Sequence, residues 1–124
     1  MNGKTILRIL LTVSLCMNFA VGQAQQTTEK FIPIGMSPGV SGKSSHLGNI
    51  TAVDSADKSF SMQIDGDNKV ISVAPTTWIW LDRSKSKKPN LDGGFGALET
   101  GSRVEVFMNP GDPAKAAWIK IEAN

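Results

Sequence analysis

The chain has 124 residues, 13 basic and 11 acidic, with one cysteine and one histidine. That length supports one small domain, and the near balance of charge gives no global basic field to recommend nucleic acid as a partner. A single histidine and a single cysteine argue against the common nucleophile triads and against multi-histidine hydrolytic metal centres.

Lys4 and Arg8 place positive charge at the start, and an uncharged apolar run follows from Ile9 to Val21. Small residues then recur at Ala20, Gly22 and Ala24 in the spacing that a signal peptidase accepts. The run is short for a bilayer span of roughly 20 residues, and Asn18 interrupts its apolarity. The sequence therefore predicts a signal peptide over 1–24, no transmembrane anchor after cleavage, and a periplasmic or secreted destination. Cys16 follows the bulky Leu15 and lies inside the run, which argues against lipid attachment. It leaves with the signal, so no disulfide can staple the remainder. Loss of Lys4 and Arg8 leaves 11 basic residues against 11 acidic ones.

Residues 25–45 read as a flexible or extended tail, rich in proline, glycine and serine in its second half. The apolar group Phe31-Ile32-Pro33-Ile34 is expected to pack on the domain, because exposed apolar clusters invite association. From residue 46 to 124 the character is β. Asn49 to Val53 forms a first strand, and Ser59 to Asp65 alternates Phe60, Met62 and Ile64 against Ser59, Ser61 and Gln63. Asp65-Gly66-Asp67-Asn68 supplies tight-turn chemistry, and Lys69 to Ala74 returns with Val70, Ile71 and Val73 available for the core. Pro75 ends that strand. Thr76 to Leu81 is β again, with Trp78 and Trp80 on one side and Ile79 and Leu81 on the other. Residues 82–95 form a polar, basic excursion, followed by a helical turn over 95–100 that directs Leu98 inward. Arg103 to Met108 and Ala114 to Ala123 close the chain as strands, separated by the turn Asn109-Pro110-Gly111-Asp112-Pro113. Five to six short strands about ten residues apart suggest an all-β, OB-like barrel with an irregular N-terminal tail.

The pattern Gly48-x-Ile50-x-x-Val53-Asp54, Phe60-x-Met62-x-Ile64, Leu98-x-x-Gly101-x-x-Val104-x-Val106 and Ala116-Ala117-Trp118-Ile119 resembles the small OB-like domains of unknown function found in secreted bacterial proteins. The resemblance spans residues 46–122 and rests on turn glycines and alternating apolar positions. It implies fold and compartment and carries over no catalytic residue. A weaker similarity connects the chain with the periplasmic copper-chaperone barrel. That similarity implies a site of one histidine and two methionines beside a tryptophan.

Soft thioethers and imidazole suit Cu(I), and the chain downstream of the signal offers Met36, His46, Met62 and Met108. Met62 and Met108 alternate with core residues, however, where methionine commonly fills gaps, and no close methionine pair exists. The carboxylates at 65 and 67 lack the ligand spacing of a calcium loop. The strongest candidate surface is Trp78 and Trp80 followed by Arg83, Lys85, Lys87 and Lys88: an aromatic wall bordered by cations suits a planar or anionic ligand, or an interface anchor. The sequence thus points to a non-catalytic extracytoplasmic binding module that uses no cofactor, with an envelope protein or an anionic ligand as partner. A periplasmic copper-handling protein is the alternative.

Overall fold

Period-two alternation lets a segment bury one row of side chains while its backbone pairs with its neighbours. In the computed structural model, which describes residues 28–38 and 44–123, the described residues form seven strands. These are β1 (His46–Asp54), β2 (Ser59–Ile64), β3 (Asp67–Ser72), β4 (Trp78–Asp82), β5 (Leu91–Asp92), β6 (Arg103–Asn109) and β7 (Asp112–Glu122). The expected signal at 1–24 and the first residues of the tail lie outside the described residues. The strands form one mixed sheet in the order β3-β2-β1-β6-β7-β4-β5. β1 is the corner. Its first half pairs with β6, as in His46↔Val106, and its second half pairs with β2, as in Val53↔Phe60. An irregularity between Ile50 and Ala52, inside the β1–β2 ladder, lets the strand bend just after it leaves β6.

The β2–β3 hairpin turns where Asp65 and Gly66 both take positive φ, at 53° and 84°, as a primed turn requires. At Gly48 a Cβ would stand 3.0 Å from the Gln63 carbonyl oxygen and 3.0 Å from the Met62 Cε. A glycine there allows β1 to cross close to the end of β2. Inside the curl, Ile50, Phe60, Met62, Ile71, Val104, Val106, Ile119 and Ile121 form one core, with Leu98 and Ala116 added from the loop and from β7. Ile64 packs against this core but is only partly buried. Val70 does not contribute: it lies opposite Ser61 on the outer face of β3 and is exposed.

The expectation of a five- to six-stranded OB-like barrel is corrected by this topology. The strands number seven, the sheet runs openly from β3 to β5, and β3 meets β7 at a single parallel pair, Ser72↔Lys115. The donors that would lengthen that ladder are committed elsewhere. The N–H of Val73 donates to the Lys58 carbonyl and that of Ala74 to the Thr77 hydroxyl; Pro75 has none to give. The additional strand, β5, arises within the polar 82–95 excursion. Leu91 and Asp92 pair with Leu81 and Trp80, although their own sequence shows no apolar period.

Candidate functional site

The site follows from the outer face of β4, β7 and β6. β4 and β7 run parallel in the register Trp78↔Trp118, Trp80↔Lys120 and Asp82↔Glu122, which sets these six side chains on the face away from the core. Three indoles and a phenyl form a continuous aromatic row across them. Ring centroids are 6.3 Å apart for Trp78–Trp80, 5.8 Å for Trp80–Trp118 and 5.7 Å for Trp118–Phe107.

Part of this face is covered. Residues 28–38 cross it and bond to all three strands. The Ile34 N–H donates to Asp82 at 2.6 Å, the Gly35 N–H donates to Glu105 at 2.9 Å, and Lys120 Nζ donates to the Ser37 hydroxyl at 2.6 Å. The Asn90 side chain donates to the Lys30 carbonyl, and Ser45 donates to the second Glu105 oxygen. Ile32 is buried by the docking, whereas Phe31 and Met36 stay exposed. Beneath this strap lie charges that an alternating pattern would assign to solvent: Lys120 and Glu105 are both 0% exposed, and Asp82 and Glu29 are buried with them. Burial pushes the Lys120 ammonium below its ordinary range, against the opposing pull of Glu105, Glu29 and Asp82. At Asp82 burial acts to raise the carboxyl, but hydrogen bonds from Ser84 and Ile34 and the Lys120 charge outweigh it and hold the group low.

The sequence-derived binding residues therefore part company. Trp80 is 1% exposed, while Trp78, at the open end of the row, is 45% exposed. Arg83 donates from Nε to the Pro89 carbonyl, and its backbone N–H donates to Asn90, which folds the basic loop on itself. Lys85 pairs with Glu122 at 2.7 Å; that contact, with help from Arg103, outweighs the opposing effect of burial and leaves the Glu122 carboxyl low. Lys87 takes the left-handed conformation that closes a short 3-10 turn over Ser84–Ser86, and Lys88 is exposed beside it. Trp78 begins β4 and the basic loop follows its end. At about 3.3 Å per residue, the indole and the first loop cation stand roughly 16 Å apart. The structure brings the two indoles together and sets the cations at the far end of the strand.

A cleft of about 520 Å³ opens at Trp78, lined also by Thr76, Asp92 and Gly93. It continues into a second cleft of about 330 Å³ that shares Pro75, Thr77, Ile79 and Gly93 and extends to Phe95 and Lys58. Thr76, Asp92 and Gly93 were not legible as site residues: Asp92 reaches the cleft only because β5 pairs with β4, and the sole local signal is the Asp92-Gly93-Gly94 turn. The copper candidates do not converge on an open site. Met62 is fully buried in the core, Met108 packs against it, and Met36 is exposed on the strap. Among the described residues, no group of three or more histidine, cysteine, aspartate or glutamate side chains is placed to hold a metal ion, and no helix is long and apolar enough to cross a membrane.

No family model matches the chain, and no curated protein shows significant similarity to it. Among solved structures, silver-bound CusF is similar at 16% identity and a TM-score of 0.43, covering 63% of this chain and 95% of that one. A copper(II)-bound tryptophan-to-alanine variant of CusF from Escherichia coli is similar at the same identity and TM-score, covering 64% of this chain and 90% of that one.

Proposed function

We propose that this protein is a small, non-catalytic binding module that works outside the cytoplasm, and that its contact surface is the cleft at Trp78. Export is supported by the basic, apolar and small-residue succession over residues 4–24. A binding role is carried by one observation. In an aromatic row whose next two indoles, Trp80 and Trp118, are buried, Trp78 is left half-exposed at the mouth of a cleft. A large indole held by a stacked neighbour offers contact area at small entropic cost, which is why such residues anchor interfaces and ligands. The exposed cations Lys87 and Lys88 form a separate, secondary surface, whereas Arg83 and Lys85 serve the loop and Glu122.

The test is affinity capture from an envelope fraction with the processed wild-type protein and with Trp78→Ala as parallel baits, followed by mass spectrometry and glycan analysis. Material retained by the wild type and lost with Trp78→Ala is the expected result. Identical profiles from the two baits would overturn the assignment of the surface. A Lys87→Ala/Lys88→Ala bait is expected to retain the same material.

A further inference from the structure

Resting on that reading of the Trp78 cleft, we infer that its ligand is a neutral saccharide ring stacked on the Trp78 indole. The electrostatics of the neighbouring aromatic groups single out this chemistry. Cations sit over three of the other described rings. Lys30 Nζ lies 5.4 Å from the Phe31 centroid, Lys58 Nζ 4.8 Å from Phe95, and Lys120 Nζ 4.5 Å from Trp118. Among the described residues no cation covers Trp78. The carboxylate of the cleft is likewise answered, since Asp92 pairs with Lys30 at 3.0 Å. An organic cation would compete with Lys30 for Asp92, and an anion would find the nearer cations engaged, Lys30 by Asp92 and Lys58 over the Phe95 ring, with the basic loop a strand length away. A neutral ligand pays neither cost.

The geometry matches a pyranose. The negative face of an indole attracts the weakly positive C–H bonds on one face of a sugar ring. Stacking against Trp80 at 6.3 Å with a 25° interplanar angle holds that indole in place. Around it stand groups that hydroxyls can use. Asp92 is largely exposed and keeps acceptor capacity beyond its ion pair. Thr76 is exposed with its hydroxyl uncommitted, whereas the Thr77 hydroxyl is spent on Ala74 and Ala116. Gly93 lines both clefts and adds no side chain to either; a Cβ there would stand 3.3 Å from Leu81 and in ordinary contact with Ile79 at 3.5 Å. A cleft of about 520 Å³ that continues into a second one has room for more than one ring.

The experiment is isothermal titration of the processed protein with cellohexaose, maltohexaose and chitohexaose, with an oligogalacturonate of equal length as the anionic arm. Tryptophan emission is read in parallel. At least one neutral hexamer should bind and shift the Trp78 emission. Trp78→Ala should lower its affinity at least tenfold, while Trp78→Phe, which keeps an aromatic face, should lose less. No binding by any neutral hexamer, preference for the oligogalacturonate, or equal affinity in Trp78→Ala would each overturn the inference. If neutral hexamers fail while envelope material is still captured through Trp78, the saccharide is wrong and the contact surface stands. If capture does not depend on Trp78, the surface itself is wrong.

Discussion

Replacing Lys120 by methionine removes a charge from beneath the strap while nearly preserving volume. The methionine thioether can still pack on Trp118, so the loss is electrostatic. It includes the hydrogen bond to Ser37 at 2.6 Å and the countercharge of Glu105, which is itself fully buried. Removing one partner of a buried pair costs about 3–5 kcal/mol. Glu105 retains donors from Gly35 and Ser45, and the variant escapes the desolvation of an ammonium, so the low end, about 3 kcal/mol, applies. In a domain of this size that corresponds to a fall in Tm of roughly 12–24 °C. Urea unfolding and calorimetry measure it, and limited proteolysis within residues 28–38 should accelerate as the strap loosens. The double variant Lys120→Met/Glu105→Gln should recover part of the loss, because no orphaned carboxylate remains. A Lys120→Met protein as stable as the wild type, or more so, would show that the buried cluster is a net cost and that the strap is held by Ile32 and the backbone bonds alone.

Other outcomes follow from the same geometry. Burial lowers Lys120 relative to the unfolded chain, whose ordinary value is 10.5; the unfolded state then binds the extra proton, so stability rises with pH towards 10.5 in the wild type and lacks this component in Lys120→Met. Asp82 is held low in the folded state, so its contribution is present above its ordinary 3.8 and is lost as pH falls through the lowered value; the gap between wild type and Asp82→Asn should close in acid urea titrations. Val106→Asp, at a position with no exposure, should abolish cooperative unfolding, since an unpaired buried carboxylate costs several kcal/mol out of roughly 5–15, while Ser61→Asp should unfold cooperatively near the wild-type midpoint. Gly48→Ala should cost about 1–3 kcal/mol, because its Cβ meets backbone oxygen.

What could be read in the sequence was what a local pattern encodes. Phe60, Met62, Ile64, Val104 and Val106 declare their face by alternation, and all pack on the core. Asp65-Gly66 declares its turn through the positive φ it adopts. The outer face was illegible for a physical reason. Glu105 and Lys120 alternate correctly with core residues, but a segment some seventy to eighty positions away covers them, and no local period records that. Ile32 in its apolar cluster was the only hint. The basic loop misled in the same way: Lys85 finds Glu122, and Arg83 finds Pro89, so two of its four cations have structural partners. The strand count failed at Leu91–Asp92, where pairing with β4 comes from chain geometry and not from side-chain pattern.

Acrylamide quenching of native tryptophan emission, compared between the wild type and Trp78→Phe, decides whether the Trp78 indole is an open contact surface. Of the three indoles, Trp80 and Trp118 are at most 5% exposed and Trp78 is 45% exposed. A readily quenched component is expected in the wild type and should disappear in Trp78→Phe, leaving emission that becomes accessible only on unfolding. Equal quenching of the two proteins would contradict it, because Trp78 would then be as enclosed as its neighbours and the cleft would have no aromatic wall to offer.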